Sequence, residues 1–251
     1  MKNAWRLLAA ECVLVIGVCA YAARPGVLES LSRTPSESYY NLLVQGFRAG
    51  HLSLKKEPPI GLTQLANPYY PVATIRFRLG SDRLIDLSYY YGSLYLYFGV
   101  TPALILFWPV VALTGYYLSH VQAVTIFCAV GFLASVGVLC AFWRRYFPEV
   151  SIWVVMACTL ALGLANGVPT ILPRSDVCEV AISCGYMFTM LALRAIWCAL
   201  HEPLRRCRWL AVASVAYGLA VGRDRTFCLG DQSCWCRWPK RGVNGGKLAV
   251  C

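Results

Sequence analysis

The chain alternates long apolar runs with polar stretches, and the length of each run limits what it can be. A bilayer core of about 30 Å takes roughly 20 apolar residues as helix. Runs of that order occupy 5–23, 94–118, 121–143, 151–172 and 180–200, and a shorter one, WLAVASVAYGLAVG, occupies 209–222. Four of them read as spans (5–23, 121–143, 151–172, 180–200) and 209–222 as a partial one. Segment 94–118 differs, because Gly99, Pro102, Pro109 and Gly115 interrupt it. Such residues break helices and suit a re-entrant or interfacial hairpin. The pattern predicts an all-α integral membrane protein, a polytopic helix bundle with a large first external loop that holds short helices and a β-hairpin.

Composition agrees. Of 251 residues, 58% are hydrophobic and 14% charged, with a mean hydropathy of +0.55, whereas about a quarter of residues are charged in soluble domains. A net charge of +11 would suggest a nucleic-acid partner in a soluble protein. Here the cations sit beside apolar runs and read as topology, with membrane lipid as the partner and no nucleic acid.

Those cations also orient the chain. If 94–118 crossed the membrane, Arg144, Arg145, Arg205, Arg206 and Arg208 would all lie outside in short loops, against the positive-inside rule. If it enters and leaves on one face, both clusters are cytoplasmic and residues 24 to about 120 form one external region. The first run also fits a secretory signal peptide cleaved after Ala22 or Ala23. The later runs favour an uncleaved anchor, and either way the N-terminus with Lys2 and Arg6 is cytoplasmic.

Most of the 13 cysteines lie inside apolar runs, where Cys acts as a small hydrophobe. Cys234 and Cys236 lack a second pair at zinc spacing, and His51, His120 and His201 are scattered. The glycines at 245 and 246 precede Lys247 without the Ser or Thr of a phosphate loop. No metal-ligand set or cofactor is evident.

The external region carries the candidate chemistry. Thr34, Pro35 and Glu37 fit a capping box for a helix running to about Ala49, with Gly50 after it. Tyr39, Tyr40, Leu43, Val44 and Phe47 would then give that helix an apolar face able to lie on the bilayer. Glu37 is either a cap or a general base acting on lipid-linked substrate. Asp86 is a second carboxylate candidate, although turns also recruit Asp. The segment DLSYYYGSLYLYF that it opens reads as a hairpin with a II′ turn at Gly92-Ser93. Its Tyr90, Tyr95 and Tyr97 are either an interfacial aromatic belt or a platform for a sugar ring. In the second loop, LPRSDVCEV, Asp176 and Glu179 have cap spacing, and Arg174 beside that helix start is placed to hold a phosphate.

The order of these features, with the strings ESYYNLLVQGFRAGHLSL and YYGSLYLYFGVTPALILF and a cytoplasmic RRYFP, resembles the GT-C class of integral membrane glycosyltransferases. The bacterial protein mannosyl- and aminoarabinose-transferase relatives are the nearest in layout. The resemblance covers residues 1 to about 222 and implies a bacterial plasma-membrane protein. It further implies transfer of a sugar from a polyprenyl-phosphate donor at the outer membrane face. Glu37 falls where that class places its first-loop acid, and Asp176 or Glu179 would be the second-loop acid. YLYFGVTPAL has one proline where a pair is common in the class. From Gly222 onward the apolar run becomes RDRTFCLGDQSCWCRWPKRGVNGGKLAVC, with no hydrophobic periodicity. That change is expected of a truncated or frameshifted fragment, with 209–222 poorly inserted and 223–251 an aberrant, disordered tail. The competing reading is a non-enzymatic multi-pass membrane protein, an assembly partner or transporter component, in which every acid is a cap. Only Glu11 and Arg194 would then be intramembrane ionisable candidates.

The charge argument makes a direct prediction. A topology reporter fused after Tyr146 or Arg206 registers cytoplasm, and one fused after Gly80 registers the outside; an outside signal at Tyr146 would mean that 94–118 crosses.

Overall fold

In the computed structural model the described residues are 2–23, 38–65, 67–68, 77, 84, 86–164, 172 and 176–222. Glu37, Arg174, the Thr34–Glu37 capping box and the segment 223–251 fall outside them. The elements are α1 (Lys2–Ala22), α2 (Tyr39–Arg48), the single turn α3 (Ile60–Thr63), strands β1 (Leu87–Tyr90) and β2 (Ser93–Leu96), and α4 (Ala103–Thr114). Then follow α5 (His120–Tyr146), α6 (Ile152–Leu164), α7 (Val177–His201), a 3-10 turn at Pro203–Arg205 and α8 (Arg206–Val221). The protein is thus mostly helical with one two-stranded sheet, and α1, α5 and α7 are long and apolar enough to cross a membrane.

Neighbouring ring contacts fix how the helices run. Trp5, near the start of α1, lies 6.3 Å from Trp143 near the end of α5. Tyr146, which closes α5, lies 5.9 Å from Trp197 near the end of α7. The start of α1, the ends of α5 and α7 and the start of α8 therefore share one end, which also holds Arg144, Arg145, Arg205, Arg206 and Arg208. At the other end His120, which opens α5, packs edge-on against Tyr40 of α2 and Phe107 of α4 at 5.9 and 6.4 Å. The hairpin joins that end through a cluster of Leu54, Leu62, Leu87 and Leu94 packed against Tyr39 and Leu42. Segment 94–118 enters and leaves at this second end, in keeping with the arginine pattern.

Local chemistry explains most boundaries. Helix α5 starts with a capping box, Ser119 N–H donating to Gln122 Oε1 at 3.0 Å and Gln122 N–H to Ser119 Oγ at 3.3 Å. Helix α2 ends as expected: Gly50 has φ +80, and the amides of Gly50 and His51 donate to the carbonyls of Phe47 and Gly46. Its described start is Tyr39, with Ser38 extended as N-cap. Its apolar face departs from expectation. Tyr40, Leu43 and Val44 are wholly buried against the bundle, where α4 and α5 cover them, and that face does not lie on a bilayer.

Two further expectations change. The hairpin turns at Tyr91-Gly92, with φ 44 and 78, and pairs Tyr90 with Ser93. Positive φ at both central positions is a I′ turn, which matches strand twist, so the II′ turn at Gly92-Ser93 is not formed. Helix α4 is one short helix where broken helix or a hairpin was expected, with Pro109 inside it. A wide π-type turn over Ala103–Phe107 precedes Pro109 and opens the stretch where its ring would otherwise crowd the carbonyl of Ile105.

Helices α5 and α7 pack closely along their length. A Cβ at Gly131 would lie 2.5 Å from the Tyr186 ring and 3.2 Å from Met187 Cα, so only glycine lets the backbones approach. One turn on, Ser135 Oγ donates to Gly131 O at 2.9 Å and lies 3.0 Å from Tyr186 Oη. This is the small-residue contact with polar support common between apolar helices. Helix α8, the run expected to insert poorly, is helical and packs along α7, burying only Ala213, Ala216 and Ala220.

Gly131→Val is therefore expected to lower the thermal unfolding midpoint in detergent, by overpacking worth about 1–3 kcal/mol. Gly218→Ala, with nothing within 4 Å of the added carbon, should leave the midpoint unchanged or raise it slightly. Equal responses would dissociate the packing argument from the α5–α7 contact.

Candidate functional site

The bundle brings three of the predicted carboxylates to one end. Asp86 precedes β1, whereas Asp176 and Glu179 begin α7, and the hairpin and helices α4, α5 and α6 lie between them in the chain. Burial pushes the Asp86 carboxyl up from its ordinary range, and the negative charges of Asp176 and Glu179 push it further. That coupling across some ninety residues of chain is what marks the place.

Each acid is held differently. Glu179 is committed to structure: its Oε2 accepts from the Asp176 amide at 3.1 Å and from Cys178 Sγ–H at 2.8 Å, in a capping box at the head of α7. Asp176 is exposed at the N-cap. Asp86 is half-buried and sits at φ +65, a left-handed conformation that Asp tolerates better than most residues. Its carbonyl accepts from the Tyr97 amide at 2.9 Å, which anchors it at the open end of the hairpin. Asp86 combines partial burial, a raised carboxyl and an unusual backbone, the pattern of a group arranged for proton transfer.

Around it lie residues that sequence patterns did not single out for chemistry. Burial and then the Asp86 charge push the Tyr39 phenol up, which places the first residue of α2 beside this carboxylate. His120, the first residue of α5, lies within the electrostatic reach of Asp176 and Glu179, and its Nε2 is buried without a hydrogen-bond partner among the described residues. Beneath them Tyr40 stacks on Phe107 at 5.2 Å, and buried Asn41 donates from Nδ2 to Leu118 O at 2.9 Å, tying α2 to the approach of α5. The signal that could have found Tyr39 and His120 is parity: once 94–118 does not cross, the starts of α2, α5 and α7 must meet at one end.

The tyrosines divide. Ser88, Tyr90, Ser93 and Tyr95 share the hairpin face opposite its buried leucines, and Tyr90 packs edge-on against Tyr91 and Tyr95 at 4.5 and 6.4 Å. Tyr97 opposes Asp86, whereas Tyr90 stands at the tip, roughly 13 Å along the strand at about 3.3 Å per residue. Glu37 and Arg174 lie outside the described residues. Among the described residues no three His, Cys, Asp or Glu side chains are placed to hold one metal ion.

Asp86→Asn keeps a side chain suited to positive φ while removing the charge. A carboxyl raised on folding loses its proton first in the unfolded chain. Its stabilising share is therefore full in acid and is lost as pH climbs through the folded value. The variant is expected to unfold at higher temperature than the native chain near pH ~7.5 and at the same temperature near pH ~3. A lower midpoint at the higher pH would overturn the raised-carboxyl reading.

Comparison with protein-family models, with curated proteins and with solved structures gives no match to this chain.

Proposed function

We propose that this chain is a glycosyltransferase-like membrane protein. It moves a sugar from a polyprenyl-phosphate donor at the outer face of the membrane, with Asp86 as the general base. What supports the reading is the meeting of Asp86, on the half-buried open end of the hairpin, with Asp176 and Glu179 at the head of α7, at one end of an apolar bundle. Resemblance in the order of loops and spans supports it further.

The chemistry asks for a base that is charged yet basic. An acceptor hydroxyl gives its proton to the Asp86 carboxylate, and its oxygen bonds to the anomeric carbon of the sugar. The bond from that carbon to the donor phosphate oxygen breaks, and its electron pair leaves with polyprenyl phosphate. Burial and the two neighbouring acids raise the proton affinity of Asp86, which favours the transfer at near-neutral pH. Asp176, exposed at the N-cap, is positioned to accept hydrogen bonds from sugar or acceptor hydroxyls, while Glu179 keeps the helix start in place. The Tyr97 amide bond fixes where the base stands, and Tyr95 and Tyr90 extend an aromatic surface on which a sugar face can stack. Arg174 is assigned the donor phosphate from its place in the sequence.

The test uses the full chain in lipid discs with a polyprenyl-phosphate hexose labelled in the sugar, following release of label from the lipid. Transfer by the native chain is expected. Asp86→Asn should slow it by about a hundredfold or more while the fold is retained, with Glu37→Gln close to native. Loss at Glu37→Gln with Asp86→Asn unaffected would move the base to Glu37. No release by the native chain, with both variants altering stability alone, would make the acids helix and turn supports and favour the non-enzymatic reading.

A further inference from the structure

At the end of the bundle opposite the acids, a cavity of about 560 Å³ opens between α1, α5 and α7. That is the size of a small-molecule site. Its inner wall is apolar, with Leu8 and Cys12 from α1 and Leu133 and Val136 from α5. Its polar lining is basic: Arg144, Arg145 and Arg194 face one carboxylate, Glu202. That carboxylate is already engaged, its Oε2 accepting from Trp209 Nε1 at 2.9 Å.

Arg194 is the informative member. It is half-buried on α7, about 10 Å of helix before His201 ends it. Gly137 of α5 faces it: a Cβ there would stand in ordinary contact, 3.7 Å from Arg194 Nε, and a longer side chain would reach into the space the guanidinium occupies. Arg144 lies over the Trp5 ring at 5.9 Å. Trp197, on the same wall, packs on Phe142 and His201 at 4.3 and 4.1 Å. Arginines at the mouth of an apolar slot between tryptophans form an amphiphile's negative image, with charge at headgroup level and hydrocarbon below. Guanidinium forks match phosphate oxygens, and desolvated surroundings strengthen the pairing.

We propose that this cavity binds an anionic phospholipid. Its phosphate lies among Arg194, Arg144 and Arg145, and an acyl chain runs along Leu8, Leu133 and Val136. The site is independent of the acids at the other end and of any reaction there. A basic pocket between helices selects headgroup charge and, through its apolar wall, requires a chain attached to it.

The experiment is native mass spectrometry of the full chain released from detergent, titrated with phosphatidylglycerol, phosphatidylcholine or inorganic phosphate. Phosphatidylglycerol is expected to bind more tightly than phosphatidylcholine, and Arg194→Gln to weaken it about fivefold, the worth of one basic residue at a lipid phosphate. Arg208→Gln, which removes the same charge outside the cavity, should leave binding unchanged. Gly137→Leu, which keeps every charge but fills the slot, should weaken phosphatidylglycerol as much as Arg194→Gln does. Equal affinity for the two lipids, or equal losses at Arg194 and Arg208, would reduce the cavity to general surface charge and overturn the proposal. Inorganic phosphate competing as well as the lipid would overturn the lipid assignment.

Discussion

The arrangement depends on one length. At about 1.5 Å per residue, Ala103–Thr114 is roughly 18 Å of helix, and hydrocarbon about 30 Å thick gives no partner to a peptide group left outside a helix. Helix α4 falls well short of that thickness, and the chain is back at the end it came from when α5 begins, with His120 against Tyr40 and Phe107. Every later direction follows from that return. It brings the start of α7, with Asp176 and Glu179, to the hairpin that carries Asp86, and sends Arg144, Arg145 and Arg194 to the far end. Were α4 a span, α5 and α7 would be inverted relative to the hairpin and the acids would be parted by the depth of the bundle.

Three of the four expected spans were legible because their signal is redundant: 5–23, 121–143 and 180–200 correspond to α1, α5 and α7, whereas the described helix in 151–172 is the shorter Ile152–Leu164. The short elements were less legible because tertiary burial decides them. The face of α2 formed by Tyr40, Leu43 and Val44 has the pattern of a surface helix at a bilayer, and nothing in the periodicity says that α4 and α5 cover it. The hairpin turn slipped by one position because Tyr91 must adopt positive φ, which propensity disfavors but the cross-strand register of Leu87 with Leu96 requires. Asp86 was visible as a turn residue; its coupling to Asp176 was not, since that depends on a fold closing across two helices. Tyr39 and His120 were hidden for the same reason.

Charge is segregated by axial position with opposite consequences. At one end, carboxylates gather and Asp176 and Glu179 raise the proton affinity of Asp86, a costly arrangement that a stable fold keeps only where surrounding contacts over-determine it. Asn41 bonded to Leu118 and Tyr40 stacked on Phe107 are such contacts, joining α2, α4 and the approach to α5 beneath the acids. At the other end, guanidiniums gather beside tryptophans, where interfacial water and headgroups lower the cost. The closely packed middle, with Gly131 against Tyr186 and Met187, keeps these two fields at a fixed separation.

The π-type turn in α4 sets a phase as well as a shape. Successive residues of an α-helix are rotated by about 100°, and the wide turn over Ala103–Phe107 accommodates one residue more than a regular turn would. That extra residue decides which side chain meets the neighbours. With it, Phe107 lies against Tyr40 and His120 while Pro102 opens the segment. Without it, the residues on the two sides of the turn would be offset from one another by about 100°. The segment is thus tolerant of substitution at its lipid-ward positions but intolerant of a change in length, and a one-residue deletion there would act as a rotation of the aromatic floor beneath the acids.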